Sequence, residues 1–331
     1  MNIAIIGATG NVGRKMLEVL EQKKLSINKL YLVASARSAG QKISFNGKKH
    51  EVYNLETYDF SKAEITFFVA GGKISEQYAE KASKHTIIID NSSFFRMDPA
   101  VPLIVPQVNP EAINDIKKNI IANPNCSTAQ LVIVLKPLHD EFEIKRVVIS
   151  TYQSVSGGGK APMDELIEQT KLSLDNQKIK SRNFTKQIAF NAIPHIDIFA
   201  DDGYTKEELK MVNETKKIID KKIKMTATCV RIPVLISHAE SINIEFEKEF
   251  TIEKISEALN KADGCEVIDE RKDGGYITPI EASGKNETFI SRIRKDNSNK
   301  NSVNLWCVSD NLLRGAALNA VEIAEAYIKN R

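Results

Sequence analysis

The sequence predicts an α/β protein, a doubly wound parallel sheet followed by a second, α+β domain. Three observations predict it. Apolar strand runs alternate with helical segments up to Cys126, the strands then lengthen and one alternates apolar with polar residues, and a helical segment closes the chain. Ile3–Ile6 is a continuous apolar strand, the segment from about Val12 to Gln22 a helix, and Lys29–Ser35 the next strand. "ITFFVAGG" and "TIIIDNSS" repeat the pattern on either side of another helix. Uninterrupted Ile/Val/Phe runs between helices belong to parallel sheets covered on both faces.

After Cys126, "RVVISTYQS", "CVRIPVLIS" and "SINIEFE" read as longer strands. In the last, Ile242, Ile244 and Phe246 alternate with polar residues, as in an antiparallel sheet with one wet face. "DNLLRGAALNAVEIAEAYI" has helical apolar spacing behind an Asp310 cap and predicts one long helix returning to the first domain. The expected domains are therefore 1–126 with 311–331, and 127–310. "RKDNSNKNS", Arg294 to Ser302, reads as an exposed loop.

Composition narrows the class. A chain of 331 residues has room for two cores, and 42% hydrophobic with 27% charged residues is ordinary for a soluble globular enzyme. The net charge of +3 comes from mixed Lys and Asp/Glu, which argues against a nucleic-acid partner and leaves room for a local anion pocket. Cys126, Cys229, Cys265 and Cys307 are far apart and form no C-x-x-C pair, so neither a metal site nor a disulfide framework is expected. A reducing, cytoplasmic setting follows, and with no long apolar run, neither a signal peptide nor a membrane anchor is expected.

Several stretches carry chemistry. "IANPNCSTAQLVIVLK" places Cys126 between an Asn-Pro-Asn turn and an apolar helical run, hence at a helix N-terminus. Unpaired N–H groups and the positive end of the helix dipole favour a thiolate there; the alternative is a small buried apolar residue. In "GATGNVG", Gly7, Gly10 and Gly13 follow the first strand and open the first helix, as a dinucleotide-binding turn requires. The G-x-x-G-x-x-G spacing is weak as a bare motif, and its place after strand one strengthens it. The end of the second strand, "ASARSAG", lacks the acid that holds a ribose 2′-hydroxyl, whereas Arg37 and Ser38 suit a 2′-phosphate, unless Arg37 is only a solvated surface charge. Gly71 and Gly72 permit cofactor contact or simply make a turn, and Gly157–Gly159 permit a flat ring to lie on backbone or form a hinge. Gln153 ends a strand just before those glycines. His238 sits at a strand end seven positions after Arg231. A neutral imidazole can serve as base to a thiol and a guanidinium can grip a carboxylate, although a lone histidine is commonly structural.

Together these segments resemble aspartate-semialdehyde dehydrogenase. "GATGNVG", "DNSSFFRMDPAVPLIVPQVN", "NPNCST", "TYQSVSGGG", "NAIPHID", "TKEELKMVNETKKI", "RIPVLISHAES" and "NLLRGAA" match that family's motifs in order, from Gly7 to Gly315. "NPNCST" differs from the "GGNCT" form of some members. The resemblance implies a Rossmann-like NADP-binding domain and a catalytic and dimerisation domain. It implies a nucleophile at Cys126, an acid/base at His238, Gln153 orienting the acyl group, Arg231 on the substrate carboxylate and Glu208 near its amino group. It implies phosphate at Arg96 and Lys210, and NADP at Thr9, Gly10, Asn11, Val12, Arg37, Ser38, Ser156, Gly157 and Asn311. The implied reaction is reversible phosphate-dependent oxidation of L-aspartate 4-semialdehyde to L-4-aspartyl phosphate by a homodimer, in lysine (diaminopimelate), threonine and methionine biosynthesis. Rival readings are an N-acetylglutamyl-phosphate reductase, a redox-sensing NADP-binding regulator and a Cys-His hydrolase.

Overall fold

In the computed structural model, which describes residues 1–330, the chain leaves one structural unit after Asn125 and returns to it after Gly315. The first unit is Met1–Asn125 with Ala316–Arg331 and the second is Cys126–Gly315.

The first unit opens with β1 (Asn2–Ile6), α1 (Asn11–Lys23) and β2 (Lys29–Ala34), then β3 (Lys42–Phe45), β4 (Lys48–Asn54) and β5 (Ile65–Phe68). α2 (Gly72–Ala82), β6 (Ile87–Asp90) and β7 (Ile120–Ala122) complete it. The sheet order is β3-β4-β2-β1-β5-β6-β7, parallel except for the β3–β4 hairpin. β5 and β6 are buried at every residue, which is why they read as continuous apolar runs.

The second unit runs α3 (Cys126–Phe142), β8 (Ile144–Gln153), α4 (Lys160–Leu174), α5 (Lys206–Ile218), β9 (Lys224–Arg231) and β10 (His238–Phe246). α6 (Ile252–Lys261), β11 (Cys265–Val267), α7 (Pro279–Ala282), β12 (Thr288–Lys295) and β13 (Ser302–Ser309) follow. The sheet order is β11-β12-β13-β10-β8-β9. Ile242, Ile244 and Phe246 of β10 are buried in a core with α3 and α6. The alternation predicts an antiparallel sheet, but only the centre is antiparallel: β8–β9 and β11–β12 run parallel. "CVRIPVLIS" is not one strand either. β9 stops at Arg231 and Ile232–Ser237 is irregular, because Pro233 has no N–H for a ladder and Ser237 takes φ 77°.

The closing segment is also not a single helix. Asp310 Oδ1 accepts the backbone N–H groups of Leu312 and Leu313, Leu313–Ala317 forms a wider π turn, and α8 (Leu318–Lys329) follows. α8 is tied to the first unit by Lys23 to Glu322 and Glu325, and by Asn319, which donates to Ile104 O and Asn123 Oδ1.

Candidate active site

Three adjacent strand ends assemble the chemistry of the second unit. Gln153, the last residue of β8, is in register with Arg231, the last of parallel β9. Antiparallel β10 runs the other way on the far side of β8, so it begins with His238 where β8 ends. Arg231 and His238 therefore flank Gln153 on two different strands. Cys126 is the first residue of α3 and is partly buried.

His238 is fully buried, and its Nδ1 accepts the backbone N–H of Ser154 at 3.0 Å. A backbone N–H can only donate, so the neutral ring carries its proton on Nε2. Among the described residues Nε2 has no partner. It faces room left by Gly157, where a Cβ would lie 3.4 Å from Nε2 and 3.3 Å from Arg231 Nη1. Burial, then the Arg231 charge, push the imidazolium down to about 3, so the ring is neutral.

Arg231 Nη1 donates to Ser154 O at 2.6 Å. Burial lowers its pKa from an ordinary value so high that the guanidinium stays charged, and it interacts electrostatically with Glu207 and Cys126. It lines a cavity of about 250 Å³ with His195, Asp197, Asn183 and Phe184. Gln153 Oε1 accepts from Thr151 Oγ1 at 2.9 Å, and its Nε2 donates to Glu207 Oε1 at 3.0 Å. One amide hydrogen of Gln153 remains for a ligand.

Glu208 requires a correction. Its Oε2 accepts the N–H of Thr205, closing a capping box at the start of α5, and its Oε1 accepts the N–H of Cys229. With both oxygens on backbone donors, Glu208 holds α5 against β9 and is not presented to a ligand. The acid that meets Gln153 is its neighbour Glu207. Lys210 donates to Glu207 Oε2 at 3.0 Å and Asp197 Oδ2 at 2.7 Å. Burial lowers the Lys210 pKa, but the two acids outweigh it and hold the ammonium above its usual range. Sequence reasoning missed Glu207 although the signal was present: T-x-x-E marks Glu208 as the capping partner of Thr205, and Glu207 shares a helix face with Lys210.

Ser156 and Asn311 form a clasp behind His238. Asn311 Oδ1 accepts from Ser237 N–H at 2.9 Å and from the hydroxyls of Ser154 and Ser156 at 3.1 Å, and its Nδ2 donates to Ser156 Oγ. Only one amide hydrogen of Asn311 is left for a cofactor. Sequence reasoning also missed Gly315, where a Cβ would sit 2.6 Å from Cys126 Cβ.

In the first unit, Gly7 has φ +95° and a Cβ there would meet Val69 backbone atoms at 3.0 Å; a Cβ on Gly13 would lie 2.4 Å from Gly7 O. No side chain caps the start of α1 at Gly10, next to Thr9, Asn11 and Val12. This is a tight, bare helix start of the kind that receives a pyrophosphate. Arg37 is exposed and Ser38 partly exposed on a short 3₁₀ turn directly after β2, with no acid beside them. Arg96 is buried, with Nε on Asn123 O and Nη2 on Asn91 O, so it braces the segment leading to Cys126. Among the described residues no cluster of potential metal ligands occurs, and no helix is long and apolar enough to cross a membrane.

The chain is similar over its length to proteins of one kind. Residues 2–116 match the family described as "Semialdehyde dehydrogenase, NAD binding domain", and residues 135–314 match "Semialdehyde dehydrogenase, dimerisation domain". The chain is 50% identical over 332 residues to aspartate-semialdehyde dehydrogenase of Aquifex aeolicus, covering 99% of this chain and 98% of that protein. It is 48% identical to the Campylobacter jejuni enzyme, covering 99% and 97%. The solved structure of aspartate semialdehyde dehydrogenase II from Vibrio cholerae, complexed with ASA, superimposes with a TM-score of 0.97 at 46% identity, covering 99% of this chain and 98% of that one. With a nicotinamide-dinucleotide-binding domain, a second α+β domain and full-length relatives of one kind, the chain belongs to the aspartate-semialdehyde dehydrogenase family of amino-acid-biosynthetic oxidoreductases.

Proposed function

We propose that the protein catalyses reversible, phosphate-dependent oxidation of L-aspartate 4-semialdehyde to L-4-aspartyl phosphate with NADP⁺, through a thioester on Cys126. The observation that carries this reading is the row of strand ends Arg231, Gln153 and His238, with Arg231 acting electrostatically on the thiol that opens α3. Arg231 grips the substrate carboxylate and Glu207, in place of Glu208, takes its ammonium. The Cys126 thiolate adds to the aldehyde carbon. His238 Nε2–H, with the free amide hydrogen of Gln153, donates to the oxygen that becomes negative. The nicotinamide, when bound, supplies the hydride acceptor. Loss of hydride leaves the acyl group as a thioester on Cys126. Phosphate, for which Lys210 and Arg96 offer cations, attacks that carbonyl, and the Cys126 thiolate leaves as aspartyl phosphate forms.

Residues of the first unit fit the dinucleotide: the tight Gly7–Gly13 turn suits a pyrophosphate, and Arg37 with Ser38 suits a 2′-phosphate. Ser156, Gly157 and the remaining Asn311 amide hydrogen are the contacts proposed for its nicotinamide end. A homodimer built through the second unit is supported by the family description of residues 135–314. The four cysteines, none in a disulfide among the described residues, support a reducing, cytoplasmic setting. In cells the reductive direction would feed lysine (diaminopimelate), threonine and methionine synthesis.

The test is NADPH formation by purified protein given semialdehyde and phosphate, with NAD⁺ compared, and with Cys126→Ser as control. Serine is far less ionised, so turnover should drop by several orders of magnitude with the fold intact. Turnover independent of phosphate, or retained by Cys126→Ser, would defeat the proposal.

A further inference from the structure

Directly beneath the row of Arg231, Gln153 and His238 lies a second polar row on the same sheet face. The register places Cys229, Thr151, Glu240 and Cys307 side by side on β9, β8, β10 and β13. The row below it, Ala227, Ile149, Ile242 and Leu305, is wholly apolar. Glu240 is fully buried; among the described residues no donor meets either carboxyl oxygen at hydrogen-bond geometry, and the polar side chain that acts on it is Gln130. No Lys, Arg or His among the described residues forms an ion pair with it. Thr151 cannot supply a donor, because its hydroxyl is given to Gln153. The remaining neighbours are the Cys229 and Cys307 thiols, both held protonated by burial, and Gln130.

Gln130 lies on α3, one turn after Cys126. Its Nε2 donates to His238 O at 3.4 Å and to Cys307 Sγ at 3.9 Å, while its Oε1 has no partner among the described residues. An acceptor lacking a donor thus belongs to the side chain that acts on the buried carboxyl. A carboxylate there would be an uncompensated buried charge, whereas a carboxylic acid has one O–H to give.

We propose that Glu240 is a positioning residue: as the neutral acid it donates to Gln130 Oε1, and Gln130 in turn holds the first turn of α3, with Cys126, against the His238 end of β10. Glu240 touches no substrate. It sets the separation of thiol and imidazole from below. The burial of the carboxyl, which raises its pKa well above the usual range, agrees with the neutral form.

The proposal rests on Cys126 and His238 as the reacting pair, so its test includes readouts that do not need turnover. At neutral pH the infrared spectrum of the whole protein should contain the C=O band of a protonated carboxyl that Glu240→Gln removes; no difference between the two spectra would overturn the proposal. Glu240→Leu should lower kcat by roughly ten- to a hundredfold while KM for the semialdehyde stays within about twofold, because thiol and imidazole are misplaced and the Arg231 anchor is not. Alkylation of Cys126 by iodoacetamide should slow in parallel. Glu240→Gln, still able to donate to Gln130, should recover most of that loss; a variant as damaged as Glu240→Leu would show that charge matters and overturn the idea. If Glu240→Leu does not fold, Gln130→Leu breaks the same link from the other side, and unchanged kcat there overturns it equally. Activity in Cys126→Ser would instead remove the parent reading and leave the infrared result standing.

Discussion

Replacing Gly315 by alanine tests how tightly Cys126, the proposed nucleophile, is held. The new methyl carbon would lie 2.6 Å from Cys126 Cβ, 2.8 Å from its Cα and 3.1 Å from its carbonyl oxygen. Non-bonded carbon atoms settle at about 3.5–4.0 Å, so one segment must withdraw by roughly 1 Å. No flexible side-chain tip can absorb the movement, since the clashing atoms are backbone and Cβ. Overpacking of this kind costs roughly 1–3 kcal/mol. A displacement of about 1 Å at a reacting atom costs roughly a hundredfold in rate. We therefore expect kcat/KM for the semialdehyde to fall by about a hundredfold, Tm to drop by several degrees, and NADP⁺ affinity to stay nearly unchanged. Steady-state NADPH formation, a melting curve and cofactor titration on one preparation measure all three. A kcat/KM within about threefold of wild type would refute the view that Gly315 fixes Cys126 by close approach.

Glu207→Gln should raise KM for the semialdehyde by roughly tenfold or more through loss of a charged contact, whereas Glu208→Gln should lower Tm through its cap, worth about 0.5–2 kcal/mol, with kinetics of the folded protein preserved. The reverse pattern would restore Glu208 to the site. Ser38→Asp should repel a 2′-phosphate and shift the NADP⁺/NAD⁺ affinity ratio by roughly ten- to a hundredfold; an unchanged ratio in direct titration would remove Ser38 from cofactor selection. His238 gives a pH signature. Its imidazolium falls from about 6.5 when unfolded to about 3 when folded, so between these values the unfolded chain binds more protons. Stability is then full above the unfolded pKa and lost as pH falls, by up to about 1.4 kcal/mol per pH unit. Urea midpoints between about pH 7 and 5 should fall less steeply in His238→Gln, and an identical slope would count against a neutral buried ring.

The first sheet was readable because burial on both faces writes itself as short unbroken runs such as Ile87–Ile89, rich in β-branched residues and alternating with helical segments. The second was readable only in part. Which strand lies beside which is a long-range fact, so the alternation in β10 disclosed its wet face but not that β8 separates it from β9, placing Gln153 between Arg231 and His238. That Glu207 and not Glu208 meets Gln153 has the same origin. Adjacent helical residues point about 100° apart, and only the rotation of α5 on the sheet determines which one meets Gln153. Gly315 carried no local signal at all, because what it avoids is a residue far away in the chain.

That same contact bears on how the chain folds. Cys126 and Gly315 are the first and last residues of the second unit, and their backbones touch. The second unit is thus an insert whose two ends meet at a point. The first unit, interrupted in sequence, has no long gap to bridge in space. Once Cys126–Gly315 has folded, Asn125 and Ala316 are delivered side by side, and α8 reaches α1 as if a short turn had joined them. The entropy of closing so long a loop is then borne by the insert's own core. Replacing the whole insert by a few glycines and serines should leave a first unit whose chain ends already match.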